Sequence, residues 1–357
     1  MTILCLCREE HHWKLIPGYA EAFRRRGINF VCVDDSIPFD APLNEVVRSS
    51  AVNPSAIFHF ESAHPLLPIG IEKAEIPTVC FHPDTYAFTG RRIRWSSLFD
   101  HAAVFHPGYA EKFCEAGHAG AFLLPHAVRR EFFDGPELER EFETGWVGQT
   151  SGPFYRTRAK WLPPLAKQFR TNDWSKNYTL CQVAETYRRS RSVVNVGRDD
   201  FPHDANMRVF EVLASGALLL TSLPSELEQL SFTAGVHFVG YRNPEDISKL
   251  VRKYLADEPE RARIAASGRE LVLTEHTYDQ RVAQLLARLA ATGHEHHAPA
   301  RKWSEARRRL MAMDYYAAHG LTSCAAKQFR HVAGRGFRET IEGASLLSRA
   351  ALRFLRG

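Results

Sequence analysis

The chain has 357 residues, with 46 Lys and Arg against 41 Asp and Glu for a net charge of +5, and it is 45% hydrophobic and 24% charged. Those are the proportions of an ordinary globular protein, and nothing approaches the roughly 18 consecutive apolar residues of a membrane span. The length exceeds one comfortable core of about 100–200 residues, so two lobes with a cleft and an appendage are expected. Charge is unevenly placed: residues 301–357 hold 12 Lys and Arg against 4 Asp and Glu, a net +8, which leaves −3 for residues 1–300. The opening "MTILCLCREEHHW" has an apolar run too short for a signal peptide and no basic lead, so a cytoplasmic protein is expected. Seven scattered cysteines, odd in number and mostly inside apolar runs, fit buried reduced thiols rather than disulfides or zinc.

In chain order, residues 2–7 and 28–33 are short apolar runs, and "GYAEAFRRRGI" between them has helical spacing closed by Gly27. "SAIFHF" (55–60), "PTVCFH" (77–82), "HAAVFH" (101–106) and "AFLLPH" (121–126) continue the strand series. These runs are continuous rather than alternating, which predicts strands covered on both faces, hence a parallel sheet. A second series follows. "ETGWVGQ" (143–149) reads as strand, "LPPLAKQF" as helix, "SVVNVG" (192–197) as strand, "NMRVFEVLAS" as helix, and "ALLLT" (217–221) and "GVHFVGY" (235–241) as strands. "PEDISKLVRKYLAD" (244–257) and two more helices within 257–290 complete it, "ATGHEHHAPA" (291–300) is composed like a linker, and a helical tail follows. The expected domains are 1–140, 141–290 and a linker with basic tail, 291–357.

The helix after Asn206 carries Arg208, Glu211 and Ser215 on one stripe, opposite an apolar side of Met207, Phe210, Leu213 and Ala214. Such a stripe can simply be a solvated face with an Arg–Glu pair. The strand that follows within one glycine packs this helix in the middle of a domain, which favours a polar face on a cleft. There a carboxylate accepts from ribose hydroxyls, and the helix N-terminus with Arg208 meets phosphate. "WVGQTSGPFYRTR" adds a turn at Gly148 and two arginines, Arg156 and Arg158, that can neutralise an anion. "HPDTY" puts His82, Asp84 and Tyr86 at the C-terminal end of a strand, where open parallel sheets place ligand sites. Asp84 there is either a general base or the cap of the next turn. His126 lies at the junction of the lobes, facing the cleft or packed. Histidines 294, 296 and 297 lack partners at metal-ligand spacing, so no metal site is expected, and neither HEXXH nor a GKS/T phosphate loop occurs.

"VVNVG…NMRVFEVLASGALLLTS" and the run to "EHTYDQRV" resemble the spore-maturation CgeB-like branch of the GT-B glycosyltransferases, and so do "PTVCFHPDTY", "FDHAAVFHPGYAEKFCEAG", "LLPHAV" and "WVGQTSGPFYRTRAKWL" upstream. The resemblance spans about residues 1–285 and implies an α/β GT-B fold: two Rossmann-like domains with parallel sheets facing a cleft. It further implies a nucleotide-sugar donor held by the second domain, an acceptor facing the first, and no metal or other cofactor. By resemblance Glu211 grips the donor ribose, Asn206 and Arg208 match an Asn-x-Arg element before it, and Arg158 or its neighbour Arg156 meets the diphosphate. A first glutamate is implied at position 203, where this chain departs with His203, a group that can donate to a sugar hydroxyl or phosphate. His276, Tyr278 and Arg281 read as structural.

The expectation is a hexosyltransferase moving sugar from a nucleoside-diphosphate donor to an acceptor hydroxyl, retaining and metal-independent. Asp84, His203 and Arg208 are its candidate catalytic residues. Gly148, Arg156, Arg158, Asn206, Arg208 and Glu211 are on the donor side, and His82, Tyr86 and His126 on the acceptor side. A degenerate scaffold that keeps the fold and binds nucleotide is the alternative, and an epimerase a third reading. The basic tail is expected either to pack back on the first domain, as the resemblance implies, or to touch the inner face of a membrane. Nucleic acid is not an expected partner, because aromatic interleaving with glycine turns is missing.

Overall fold

The computed structural model describes residues 1–7, 15–34, 36–61, 66–86, 88–201, 203–292 and 298–333. Histidines 294, 296 and 297, and the last basic stretch, lie outside these. The chain divides into two compact units, Met1–Leu124 with the residues from Leu285 onward, and Pro125–Gln284.

The first unit runs β1 (Thr2–Cys5), α1 (Ile16–Arg25), β2 (Asn29–Cys32), α2 (Leu43–Ser49), β3 (Ala56–Phe60), β4 (Thr78–His82), α3 (Thr89–Ser96), β5 (His101–Val104), α4 (Pro107–Glu115) and β6 (Ala121–Leu123). Its sheet has the order β2-β1-β3-β4-β5-β6, and every pairing is parallel. All residues of β3, β4 and β5 are buried, as their unbroken apolar runs require of strands with both faces covered.

The second unit contributes β7 (Phe142–Gly145), α5 (Arg156–Gln168), α6 (Leu180–Arg188), β8 (Ser190–Val194), α7 (Met207–Ala214), β9 (Leu218–Ser222), β10 (Val239–Tyr241), α8 (Ile247–Ala256) and α9 (Glu258–Glu275). Its sheet is β10-β9-β8-β7, again parallel throughout. Helix α9 crosses close to α7 because Gly268 has no side chain: a Cβ there would fall 2.4 Å from the His237 carbonyl and 2.7 Å from Leu213.

The first boundary falls at 124/125 rather than after 140 because hydrogen bonds draw residues 125–128 into the second unit. The Val128 N–H donates to the His276 carbonyl at 2.9 Å. The buried Arg281 donates to the carbonyls of Pro125 at 2.8 Å and His126 at 3.0 Å. Burial and the Arg281 charge push His276 down to about 3, so its neutral Nδ1 accepts from Arg281 Nη2 at 2.5 Å. The "EHTYDQR" run is thus a structural staple. Arg281 lies on α10 (Tyr278–Thr292), within which the second boundary falls, at 284/285 rather than after 290.

Two tail helices, α11 (Glu305–Ala318) and α12 (Thr322–Val332), belong to the first unit. Leu310, Met313, Tyr315 and Tyr316 of α11 share a core cluster with Leu66, Leu67, Trp95 and Phe99. Polar anchors fix the helix in register: Trp95 Nε1 donates to Asp314 at 3.1 Å, Tyr316 to the Leu67 carbonyl, and the Tyr315 hydroxyl lies 3.1 Å from His59 Nε2. Its arginines are engaged locally, Arg308 with Glu72 at 3.0 Å and Arg309 with Gln328 at 2.8 Å. Among the described residues no helix is long and apolar enough to cross a membrane. Met313→Ala, at a fully buried position, is expected to cost about 2–5 kcal/mol in urea unfolding. A cost near zero would show that α11 is not part of the core.

Candidate functional site

In the second unit the loops after β7 and β8 and the start of α7 meet at the C-terminal edge of the sheet, where parallel sheets gather ligands. Asn195, directly after β8 and fully buried, joins them. Its Oδ1 accepts from Arg208 Nη1 at 2.9 Å and Asn206 Nδ2 at 3.3 Å. Its Nδ2 donates to Thr221 at 3.1 Å and to the Asp204 carbonyl at 3.4 Å. Its backbone carbonyl accepts the Tyr241 hydroxyl at 2.7 Å. Both acceptor positions and both donor hydrogens of the side-chain amide are thereby used.

Arg208 is held by three further features. Its Nε donates to the Val147 carbonyl at 3.1 Å, and its guanidinium lies 4.2 Å from the Trp146 ring. It also sits against Gly148, whose φ of +138° and missing side chain are both needed, since a Cβ would lie 2.6 Å from Arg208 Nη2. Trp146 in turn donates its Nε1 proton to the Gly148 carbonyl at 3.0 Å, which shapes the turn. Glu211 follows one turn later on α7 and is half-buried. It lies beside Tyr187, whose phenol is pushed up by burial, with the Arg208 charge opposing and the Glu211 charge adding.

Two helices begin at this edge, and the sequence assigned anion-binding arginines to both. At α5 the Asp199 carboxylate already accepts the N–H groups of Arg156 at 2.6 Å and Thr157 at 3.1 Å. At α7 the N-cap residue Asn206 makes no side-chain capping bond and gives its amide to Asn195 instead. The α7 start therefore keeps its partial positive charge for another anion.

Arg158 is buried and stitches the two loops together, donating Nε to Val196 at 2.9 Å and Gly197 at 3.2 Å, and Nη1 to Gln149 at 3.1 Å. Burial and then the Arg208 charge pull it down to about 10, so it stays cationic at neutral pH. Arg156 is 85% exposed at its side chain. The structure thus gathers Gly148, Arg158, Asn206, Arg208 and Glu211 at one edge, while His203 stands in the loop before α7 with Nδ1 2.7 Å from Glu226.

In the first unit, His82, Asp84 and Tyr86 do lie at the C-terminal end of β4. His82 is fully buried, Asp84 is exposed, and Tyr86 is half-buried. His126 belongs to the second unit, buried with its ring 6.4 Å from Phe210 of α7. Beside His82 is a centre the sequence gave no hint of. Glu61, buried just after β3, accepts from Arg92 Nε at 2.8 Å and Nη2 at 3.3 Å. It lies 3.4 Å from His319 Nε2 and 3.7 Å from His82 Nδ1. Burial pushes the Glu61 carboxyl up, but the His319 and His82 contacts and the Arg92 charge outweigh it and hold it well below 4.5. Burial is also the main cause that lowers His82.

Sequence reasoning missed Asn195, Trp146, Glu226 and the Glu61 centre. Asn195 left one signal, an amide closing the otherwise apolar run "SVVNV". Glu61 and His319 are 258 positions apart and left none.

Residues 147–287 match the model of the glycosyl transferase-like family. Anabaena HepE, solved with UDP and glucose, superimposes with a TM-score of 0.57 at 12% identity, over 80% of this chain and 99% of that one. Sucrose-phosphate synthase of Thermosynechococcus elongatus gives 0.56 at 11% identity, over 82% and 99%. A glycosyltransferase of Rickettsia africae gives 0.53 at 10%, over 81% and 98%. No curated protein matches the sequence. The fold is that of the GT-B glycosyltransferases, two parallel α/β sheets with a helical C-terminal region, as the sequence resemblance implied.

The depressed Glu61 carboxyl stabilises the fold above the ordinary value of 4.5, and that stability is lost as pH falls from there through the folded-state value. Denaturant unfolding followed from about pH 6 to pH 3 is therefore expected to show an acid decline that is shallower in Glu61→Gln. Equal slopes would mean that the carboxylate is not held this way.

Proposed function

We propose that the protein is a glycosyltransferase that moves a hexose-like sugar from a nucleoside-diphosphate donor to an acceptor hydroxyl, of the CgeB-like branch, by retaining, metal-independent transfer. The observation that carries this reading is Arg208. It is fixed over Trp146 at the α7 start, whose N-cap Asn206 makes no side-chain capping bond, one turn before Glu211. A diphosphate leaving group gains negative charge as the glycosidic bond breaks, and a preorganised guanidinium and helix N-terminus stabilise that charge with little rearrangement. The family match over residues 147–287, and the UDP and glucose bound to the HepE neighbour, support a nucleotide sugar as the ligand of this unit.

In this reading Glu211 accepts from the donor ribose, and Arg208 with the first turn of α7 meets the diphosphate. Arg158 acts from behind, fixing the loops after β7 and β8 and adding a nearby positive charge. His82, Asp84, Tyr86 and the Glu61 centre mark the acceptor side, on the first unit.

Glu211→Ala is expected to weaken nucleoside-diphosphate binding in a folded protein, measured by calorimetry; unchanged affinity would remove Glu211 from the site. Arg208→Ala is expected to raise the barrier by about 2–4 kcal/mol, read as donor turnover with a panel of nucleotide sugars. Slow donor hydrolysis by the parent protein supports the transferase. Nucleotide binding with no release from any donor supports a non-catalytic scaffold, and isomerised donor sugar an epimerase.

A further inference from the structure

A buried amide can be turned either way round, and the neighbours of Asn195 fix one of the two. Arg208 Nη1, 2.9 Å away, only donates, and the Asp204 carbonyl, 3.4 Å away, only accepts. The Thr221 hydroxyl gives its proton to Asp204 Oδ2 at 2.7 Å, which leaves its lone pairs for Asn195 Nδ2 at 3.1 Å. Asp204 is itself held by the Ser225 hydroxyl at 2.7 Å and the Glu226 backbone N–H at 2.9 Å. The amide oxygen is therefore turned to the start of α7, where it accepts from Arg208 and from Asn206 Nδ2 at 3.3 Å. Asn195, Asp204 and Thr221 are at most 1% exposed, so water does not compete for these bonds.

Both acceptors that hold the Arg208 guanidinium, this oxygen and the Val147 carbonyl at 3.1 Å, are neutral. Arg92 in the first unit is treated otherwise: its guanidinium meets the Glu61 carboxylate at 2.8 and 3.3 Å. A carboxylate at position 195 would have the reach and shape of the amide but would cancel the Arg208 charge at contact distance. An amide oxygen orients the guanidinium and leaves its charge for an anion. The same oxygen engages Asn206, the N-cap of α7, whose side chain makes no capping bond. One neutral atom thus sets both the guanidinium and the helix start.

We propose that Asn195 is a positioning residue for the donor: its amide oxygen aims Arg208 at the diphosphate, and its lack of charge leaves Arg208 to that diphosphate. This rests on the reading of the second unit as the nucleotide-sugar holder. Asn195 itself touches no ligand and acts through Arg208 and Asn206.

The test compares Asn195→Ala, Asn195→Asp and Arg208→Ala, each checked for folding by circular dichroism, with uridine diphosphate or whichever nucleoside diphosphate of the panel binds. Calorimetric affinity is expected to fall in the order parent, Asn195→Ala, Asn195→Asp, because alanine only frees the guanidinium whereas aspartate also neutralises it. Aspartate binding no more weakly than alanine overturns the proposal. Asn195→Ala is expected to lower donor turnover on the order of a hundredfold, and to cause little further loss in the Arg208→Ala background. Equal fold losses in the two backgrounds mean a packing defect and overturn it as well. If Asn195→Asp does not fold, the alanine variant in both backgrounds decides, read as affinity where no donor turns over. Nucleotide binding with parent-like affinity and turnover in Asn195→Ala overturns this inference and leaves the donor-site reading intact. Failure of every nucleoside diphosphate to bind overturns both.

Discussion

The second unit is organised around one buried amide. Asn195 reaches Arg208 and Asn206 at the start of α7, Thr221 on β9, the carbonyl of Asp204 in the loop between, and Tyr241 on β10. Four side-chain hydrogen bonds exhaust its capacity, so a small displacement of any partner leaves a buried polar group unsatisfied, at a cost of roughly 1–3 kcal/mol. That penalty keeps the arginine, the helix start and two strand ends in one arrangement. An aspartate at 195 would lose both donors and bring a buried charge; an aliphatic residue would release Arg208.

Around that amide, positive charge is concentrated and kept from relaxing. Arg158 and Arg208 both contact Trp146, at 5.0 and 4.2 Å, and each is hydrogen-bonded to backbone carbonyls rather than to a carboxylate. Two guanidiniums so near each other repel, which is part of why Arg158 is pulled down to about 10. Carbonyls stabilise the cations without neutralising them, so the field remains for an anionic ligand. At the α5 start the chain makes the opposite choice and supplies its own anion, Asp199.

In the first unit a carboxylate takes the central role. Glu61 holds Arg92 of α3 and faces His319, the C-cap of α11, and His82 of β4. Helix α11 therefore contributes polar groups, as well as packing area, to the C-terminal end of the sheet. Its Asp314 answers Trp95 and Arg91 in the same region. The charge surplus of the tail, conspicuous in the sequence, is in α11 largely tied to Glu72 and Glu305.

Much of the fold was legible in the sequence. Among the described residues the ten segments read as strands each carry one of ten parallel strands, and β3, β4 and β5, covered on both faces, announce themselves most clearly because such strands tolerate few polar side chains. The stripe of Arg208 and Glu211 was legible too, since helical period is a local property. Local pattern could not say that Arg158 points inward to three carbonyls, that Asp199 closes the α5 start, or that residues 125–128 follow Arg281 into the second unit. Nor could it pair His203 with Glu226, or Glu61 with His319. Each is a contact between residues distant in sequence, and hydrogen bonds and burial of that kind exist only once the strands are in register. The sequence by itself determined which segments are strands and helices, and which helix carries the charged stripe. Only the tertiary structure decided which charges meet a carboxylate of the chain and which meet only carbonyls, amides and ring faces, because that depends on desolvation and distance.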